Sequence, residues 1–304
     1  MTSPFGSHAV AMVTPMRPDG AVDVAGVSRL VGHLLAGGCE TLVVAGTTGE
    51  AAMLTDGETV ALVEQVRSLA AGRATVVVGA GTAGTARSVE QARAARRAGA
   101  DGVLVVCPYY VKPSQAGIVA HCRAVADAAD LPVMLYDVPH RTGVALSPQT
   151  VLALARHPNV VALKDARGDL VTAASLLRAT SLAWYCGVDD LALPYLAVGA
   201  AGVVSVVGNV VPDLVSSLLG AVARGDLAAA RAVDARLSPA VEAITAESLG
   251  AVLAKEALVR LGVIEHATVR LPLVRADAAE QAAVAAVLDT LVALPAGAGR
   301  EGCA

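Results

Sequence analysis

The sequence predicts an α/β protein, a (β/α)8 barrel of the TIM type with an appended C-terminal helical subdomain. Three observations predict it. Short Val-rich apolar runs recur along the chain, and most lack polar alternation, as expected of parallel strands covered on both faces. Turn residues and then an Ala/Leu-rich stretch of helical spacing follow each run. Eight such units fit within the 304 residues, the number that closes a barrel. A doubly wound open sheet is the structural runner-up. No Gly-x-Gly-x-x-Gly follows the first run, which weakens a dinucleotide reading.

The units come in order. Runs at 8–15, 41–46, 75–81, 102–107, 132–137, 160–164, 183–187 and 202–207 read as strands. Helical patterns lie between them at 23–36, 56–71, 85–98, 115–129, 147–155, 169–179 and 189–198. Thr55/Asp56, Ser114 and Ser147 are expected to cap helices, and Gly99 and Gly199 to stop them. After the eighth run come patterns at 212–223, 227–245, 247–261 and 276–294. They exceed the single helix that completes a barrel. The expected division is a catalytic barrel over 1–224 and a helical subdomain over 225–304, with a frayed tail at 296–304.

Composition narrows the function. Hydrophobic residues make up 55% and charged residues 16%, a core-rich folded composition and not a disordered one. Net charge is −4 with no basic block, so nucleic acid is not an expected partner. No apolar run reaches the roughly 18–20 residues of a membrane span. Residues 1–8 lack a basic region leading into an apolar one, so no signal peptide is expected. Cys39, Cys107, Cys122, Cys186 and Cys303 show no paired spacing, which fits reduced thiols in the cytoplasm. The six histidines show no metal-ligand spacing, and no metal is expected.

The chemistry centres on Val160-Val161-Ala162-Leu163-Lys164-Asp165. Only three of the 23 basic residues are lysines, and this one ends an apolar strand. An amine at the mouth of a dry pocket loses solvation for its charged form, which favours the free, nucleophilic amine. A lone strand-end lysine would ordinarily snorkel to water. Its company on the C-terminal rim, where barrels keep their active sites, reverses that reading. Gly46-Thr47-Thr48-Gly49 is a tight turn whose N–H groups and hydroxyls can hold a carboxylate. Tyr109, Tyr110 and Tyr136 fall on the same rim in a chain with seven aromatic residues of the Phe, Tyr and Trp kind. A tyrosine hydroxyl bonded to another hydroxyl can pass protons. Arg141 can grip a second carboxylate. Asp137 and Asp165 stand ready to pair with that arginine or to cap helices.

Together these residues resemble one family. Gly46-Thr47-Thr48-Gly49-Glu50, Pro108-Tyr109-Tyr110, Tyr136-Asp137-Val138-Pro139-His140-Arg141-Thr142-Gly143, Leu163-Lys164-Asp165 and Gly202-Val203-Val204-Ser205-Val206-Val207-Gly208-Asn209 resemble the dihydrodipicolinate synthase family, within the N-acetylneuraminate lyase superfamily of class I aldolases. The resemblance runs from Ala11-Met12-Val13-Thr14-Pro15 to Arg270-Leu271-Pro272. It implies an imine between Lys164 and pyruvate, and attack of the derived enamine on L-aspartate 4-semialdehyde. The product is 4-hydroxy-tetrahydrodipicolinate, on the route to diaminopimelate and lysine. It further implies that Thr48 and nearby N–H groups hold the pyruvate carboxylate, that Gly187 and Val204 bind substrate and that Arg141 receives the semialdehyde carboxylate. Tyr136, Thr47 and Tyr110 would form a proton relay, with Tyr110 supplied by a neighbouring subunit of a homotetramer, a dimer of dimers. No cofactor is implied.

The chain departs from the family pattern at Ala51, Val111 and Val188, where Ser or Thr, Asn and Asp are usual. At the positions of the family's lysine-sensing pocket stand Ala51, Asp56, Ala83 and Arg87, so weak or absent feedback inhibition by lysine is expected. Two other readings stand beside the synthase. One is a paralogous pyruvate-dependent aldolase or lyase acting on another aldehyde or 2-oxo sugar acid. The other is a non-catalytic barrel that binds a 2-oxo acid.

Overall fold

A computed structural model describes residues 3–246 and 250–293. The frayed tail expected at 296–304, Cys303 with it, lies outside the described residues, as do the first residues of the pattern at 247–261. Eight parallel strands close in sequence order: β1 (His8–Ala11), β2 (Thr41–Val44), β3 (Thr75–Gly79), β4 (Gly102–Val106), β5 (Val133–Asp137), β6 (Val160–Asp165), β7 (Ala183–Cys186) and β8 (Gly202–Ser205), with β8 pairing back onto β1. The barrel class is therefore right and the open sheet is not. Around it lie α1 (Val24–Ala36), α2 (Asp56–Ala70), α3 (Thr85–Arg97), α4 (Gln115–Ala129), α5 (Pro139–Thr142), α6 (Pro148–Leu154), α7 (Leu170–Ala179), α8 (Ala192–Ala197) and α9 (Pro212–Ala223). Three more helices follow: α10 (Leu227–Thr245), α11 (Gly250–Arg260) and α12 (Ala278–Ala293). α10 packs on α9 and α12, and α11 packs against the turn that follows β8.

Strand parity divides the core in two. Ala9, Val43, Val77, Leu104, Met134, Ala162, Ala183 and Val204 fill the barrel, while Val10, Leu42, Val76, Val103, Leu135, Leu163, Trp184 and Val203 face the helices. Side chains alternate along a strand. Tyr136 and Lys164 therefore point into the barrel, and Asp137 and Asp165 point out of it. Phe5 and Tyr185 sit in the inner cluster. Phe5 lies so close to Gly102, the first residue of β4, that a Cβ there would meet its ring at 2.7 Å. The N-terminal segment thus closes one mouth, and the mouth at the strand C-termini stays open.

Several boundaries move, each for a local reason. β1 stops at Ala11 and not at 15, because beyond Met12, whose N–H still reaches the Val43 carbonyl, the chain bonds to groups outside the sheet. Val13 N–H donates to Asn209 Oδ1 at 3.0 Å, and Thr14 Oγ1 donates to the Gly49 carbonyl at 2.7 Å. β8 stops at Ser205 because the N–H groups of Val206 and Val207 donate to Asp189 Oδ2 at 2.8 and 3.0 Å. The single helix expected at 189–198 splits into a 3-10 turn, Asp189–Leu191, and α8. Pro194 has no N–H for the bond that would join them. The short helix α5 went unanticipated. The caps behave as expected: Thr55 and Glu58 form a capping box, and the Ser114 and Ser147 hydroxyls accept from the N–H of Gly117 and Thr150. Gly99 and Gly199 take positive φ.

Candidate active site

Lys164 sits one residue before the end of β6, 4% exposed. It is paired across β5/β6 with Tyr136. Its Nζ lies over the Tyr136 ring, 4.3 Å from the centroid. The ring's negative face attracts an ammonium placed there. The lysine stem is housed by Gly187. A Cβ at that position would stand 2.8 Å from Lys164 Cε and 3.0 Å from Cγ.

One cavity of about 1500 Å³ at the C-terminal mouth collects Lys164, Tyr136, Thr47, Thr48, Tyr110, Arg141 and Gly187. Seven of the eight expected site residues are thereby brought together. Val204 is the eighth. It is buried in the inner layer of the barrel, and Val206 is the β8-side residue that lines the cavity. Thr48 is buried, whereas Thr47 is exposed. Tyr110 is 90% exposed and has a left-handed backbone, φ +69°, a conformation rare for a bulky residue.

The turn at 46–50 is a short stack of backbone bonds. The N–H groups of Gly49 and Ala51 donate to the Gly46 carbonyl, and that of Glu50 donates to Thr47. Gly49 is needed because a Cβ there would meet the Met12 carbonyl oxygen at 3.0 Å and the Ala45 nitrogen at 3.1 Å. Arg141 sits in α5, and the segment that leaves this helix is tied back to β5 by Leu146 N–H donating to Asp137 Oδ1 at 3.2 Å.

Asp137 and Asp165 do not serve the arginine that the sequence suggested. Both face outward and are fully buried, and the cation between them is Arg167. Its Nε is 3.4 Å from Asp137 Oδ2, and its Nη2 is 3.6 Å from Asp165 Oδ2. Trp184 Nε1 also donates to Asp165 at 3.3 Å. Burial pushes the Asp137 carboxyl up to about 6, against the pull of Arg167 and the Leu146 N–H. Burial raises Asp165 as well. This cluster buttresses the two strand ends that carry Tyr136 and Lys164.

The sequence reading also gave Glu50, Lys255 and Asp189 no task. Glu50 and Lys255 form a buried ion pair beneath the 46–50 turn. Asp189 staples the end of β7 to that of β8. A signal for Lys255 was present: it is one of only three lysines and interrupts the apolar pattern of α11. Among the described residues no three His, Cys, Asp or Glu side chains gather as a metal site.

A closed parallel barrel with a buried lysine amine on a tyrosine face, at the open mouth and beside a Gly-Thr-Thr-Gly turn, is built for imine chemistry on a small oxo acid. That defines a lyase of the class I aldolase type. Comparison with known proteins narrows the class. Residues 4–291 match the model of the dihydrodipicolinate synthetase family. A 4-hydroxy-tetrahydrodipicolinate synthase of Corynebacterium aurimucosum is 51% identical over 277 residues, 91% of each chain. The dihydrodipicolinate synthase structure from Bacillus anthracis superposes with a TM-score of 0.92 at 36% identity, covering 97% of this chain and 100% of that one. The chloride-inhibited enzyme of Acinetobacter baumannii, solved with pyruvate, gives 0.92 at 34% identity over 95% and 100%. The chain belongs to the dihydrodipicolinate synthetase family.

Proposed function

We propose that the protein condenses pyruvate with L-aspartate 4-semialdehyde to give 4-hydroxy-tetrahydrodipicolinate, and that Lys164 carries the reaction. The observation behind this is the Lys164 amine, buried in the barrel mouth 4.3 Å from the centre of the Tyr136 ring. The amine attacks the pyruvate carbonyl, water leaves and an imine forms. Loss of a methyl proton gives the enamine, whose carbon bonds to the aldehyde carbon while the aldehyde oxygen gains a proton. The amino group of the bound semialdehyde then attacks the imine carbon. The bond to Lys164 breaks, the ring closes and the lysine is free again.

Thr48 and the N–H groups of its turn hold the pyruvate carboxylate, Gly187 leaves room for the lysine stem, and Arg141 receives the second carboxylate. Tyr136, Thr47 and Tyr110 move the protons. The exposed Tyr110, on a left-handed turn between Tyr109 at 37% and Val111 at 56% exposure, fits delivery to the site of a neighbouring subunit. A homotetramer, as a dimer of dimers, fits this reading. No single helix among the described residues is long and apolar enough to cross a membrane. Cys39, Cys107, Cys122 and Cys186 are free and buried, which fits work in a reducing cytoplasm.

Borohydride reduction in the presence of pyruvate tests the centre of this proposal. Intact mass and peptide mapping are expected to find the pyruvyl adduct on Lys164. An unmodified Lys164 would remove the mechanism. A panel of aldehydes, with aspartate semialdehyde expected to give the highest kcat/KM, then separates the synthase from a related aldolase.

A further inference from the structure

Lys255 lies on α11, 205 residues beyond Glu50 in sequence, yet both side chains are completely buried and their charged ends meet. Each has a further partner. Lys255 Nζ also donates to the Thr268 carbonyl at 2.7 Å. The other Glu50 oxygen accepts the Arg270 N–H at 3.0 Å. Arg270 in turn donates to the Met53 carbonyl at 2.7 Å, to the Gly20 carbonyl at 2.9 Å and to Glu58 at 2.9 Å. The helices after the barrel thus grip the chain on the far side of the Thr47-Thr48 turn.

Two further features make this grip specific to the turn. Glu50 has φ +59°, a left-handed conformation that a non-glycine residue keeps only when its surroundings hold it. Its side chain is the one that enters the buried pair. The first turn of α11 also meets the barrel mouth directly. Gly250, Ala251 and Val252 line the same cavity as Lys164, and a Cβ on Gly250 would stand 3.1 Å from Val206 Cγ1. Residues 46–50 are therefore held from one side by Thr14 on the Gly49 carbonyl, and from the other by α11.

We infer that the buried Glu50–Lys255 pair is a positioning device for pyruvate binding, fixing the turn whose N–H groups and Thr48 hydroxyl receive the carboxylate. The inference rests on the proposed role of that turn. An ion pair sealed from water is a costly way to gain stability alone, since apolar residues of similar volume often do as well. Its virtue is direction. It fixes one backbone conformation in which the donors are already aimed, so that pyruvate does not have to order them.

Lys255→Met alone would leave a buried carboxylate without its cation and confound folding with function. The informative variant is the double Glu50→Gln/Lys255→Met, which removes both charges and keeps an acceptor for the Arg270 N–H. A second charge-free pair, Glu50→Gln/Lys255→Leu, is run beside it and decides the matter if the first double variant does not fold. In the folded variant the pyruvate KM is expected to rise about tenfold, the scale of a modest loss of preorganisation. The semialdehyde KM and kcat at saturating pyruvate stay within about twofold, and borohydride still traps Lys164 when pyruvate is saturating. A folded variant with an unchanged pyruvate KM overturns the inference. So does one in which kcat and both KM values change together, which would make the pair merely structural. Failure of the wild-type protein to be trapped at Lys164 is a different result, and it strikes the reading of the site itself.

Discussion

Gly187 sets how far Lys164 can reach into the barrel. A methyl group at that position would overlap the lysine stem and approach the Asp165 carbonyl oxygen to 3.1 Å, and a packed core yields poorly to such intrusion. Gly187→Ala is therefore expected to keep the fold, by circular dichroism and thermal midpoint within a few degrees. It should still lower kcat at least about 100-fold, as a misplaced reacting group does. Wild-type turnover in that variant would mean that the lysine has another route to the substrate. The lysine itself was legible in the sequence, because a rare residue type closed an apolar strand. Its glycine was assigned to substrate, and only the structure gives it the task of housing the lysine. Val204, expected at the substrate, lies in the barrel's inner layer, and Val206 lines the cavity above it. Where β8 ends is decided by Asp189, from beyond another strand.

At the scale of the elements, β5 and β6 act as a pair. Tyr136 and Lys164 share one register position, and Asp137 and Asp165 share the next. The first pair faces the cavity and the second faces Arg167. The cluster has a pH signature. Asp137 titrates at about 6 in the folded protein against 3.8 ordinarily. Between those values the folded state holds a proton that the unfolded chain has released. The resulting stability is present below the ordinary carboxylate range and is lost as pH rises through about 6. His8 works in the opposite sense over the same window. Burial lowers it from 6.5 to about 4, so its contribution is present above 6.5 and is lost as pH falls through about 4. The two cancel in part, and a difference measurement isolates Asp137. Denaturant titrations of wild type and Asp137→Asn at pH 4 and pH 7 should show the wild type losing about 2–3 kcal/mol relative to the variant as pH rises. A constant gap between them would remove the titration of Asp137 from the account. The strand positions were legible from the Val-rich runs, whereas the service of Asp137 to Arg167 was not. Strand parity turns each Asp away from Arg141, and that becomes visible only once the registers are known.

For the whole molecule, the proposed sharing of a site between chains is open to a direct test. Tyr110 stands in solvent on the single chain, so its place in the relay can be tested by mixing. Lys164→Ala and Tyr110→Phe are each expected to be inactive or nearly so. After joint dissociation and reassembly they should regain activity, because a Tyr110→Phe chain keeps its own Lys164 and borrows Tyr110 from its partner. Mixtures that stay inactive while forming mixed oligomers would put Tyr110 back in its own site. Regulation belongs to the same scale. Arg87 Nη2 and Asp56 Oδ1 are 3.2 Å apart, and Ala51 and Ala83 line the same cavity. An incoming lysine would meet a cation where its ammonium needs acceptors, and the Asp56 carboxylate is already engaged. Millimolar lysine is accordingly expected to leave the initial rate unchanged within about 20%, a margin small beside the factor of several that a 1 kcal/mol coupling would give. A halved rate would contradict this.

The sequence by itself determined the barrel, because apolar runs buried on both faces and helices at regular spacing leave few other arrangements. It also singled out the lysine and most of the residues that line the open mouth with it, because strand C-termini are where such a barrel exposes functional groups. The tertiary structure alone decided what stands behind them. Lys255 beneath the Thr47-Thr48 turn, Arg167 between two outward carboxylates and Asp189 across two strand ends act through pairings of 205, 30 and 17 residues in sequence. Local patterns carry no information about which distant charge will close a buried pair. That depends on desolvation and geometry, and both exist only after the chain has packed.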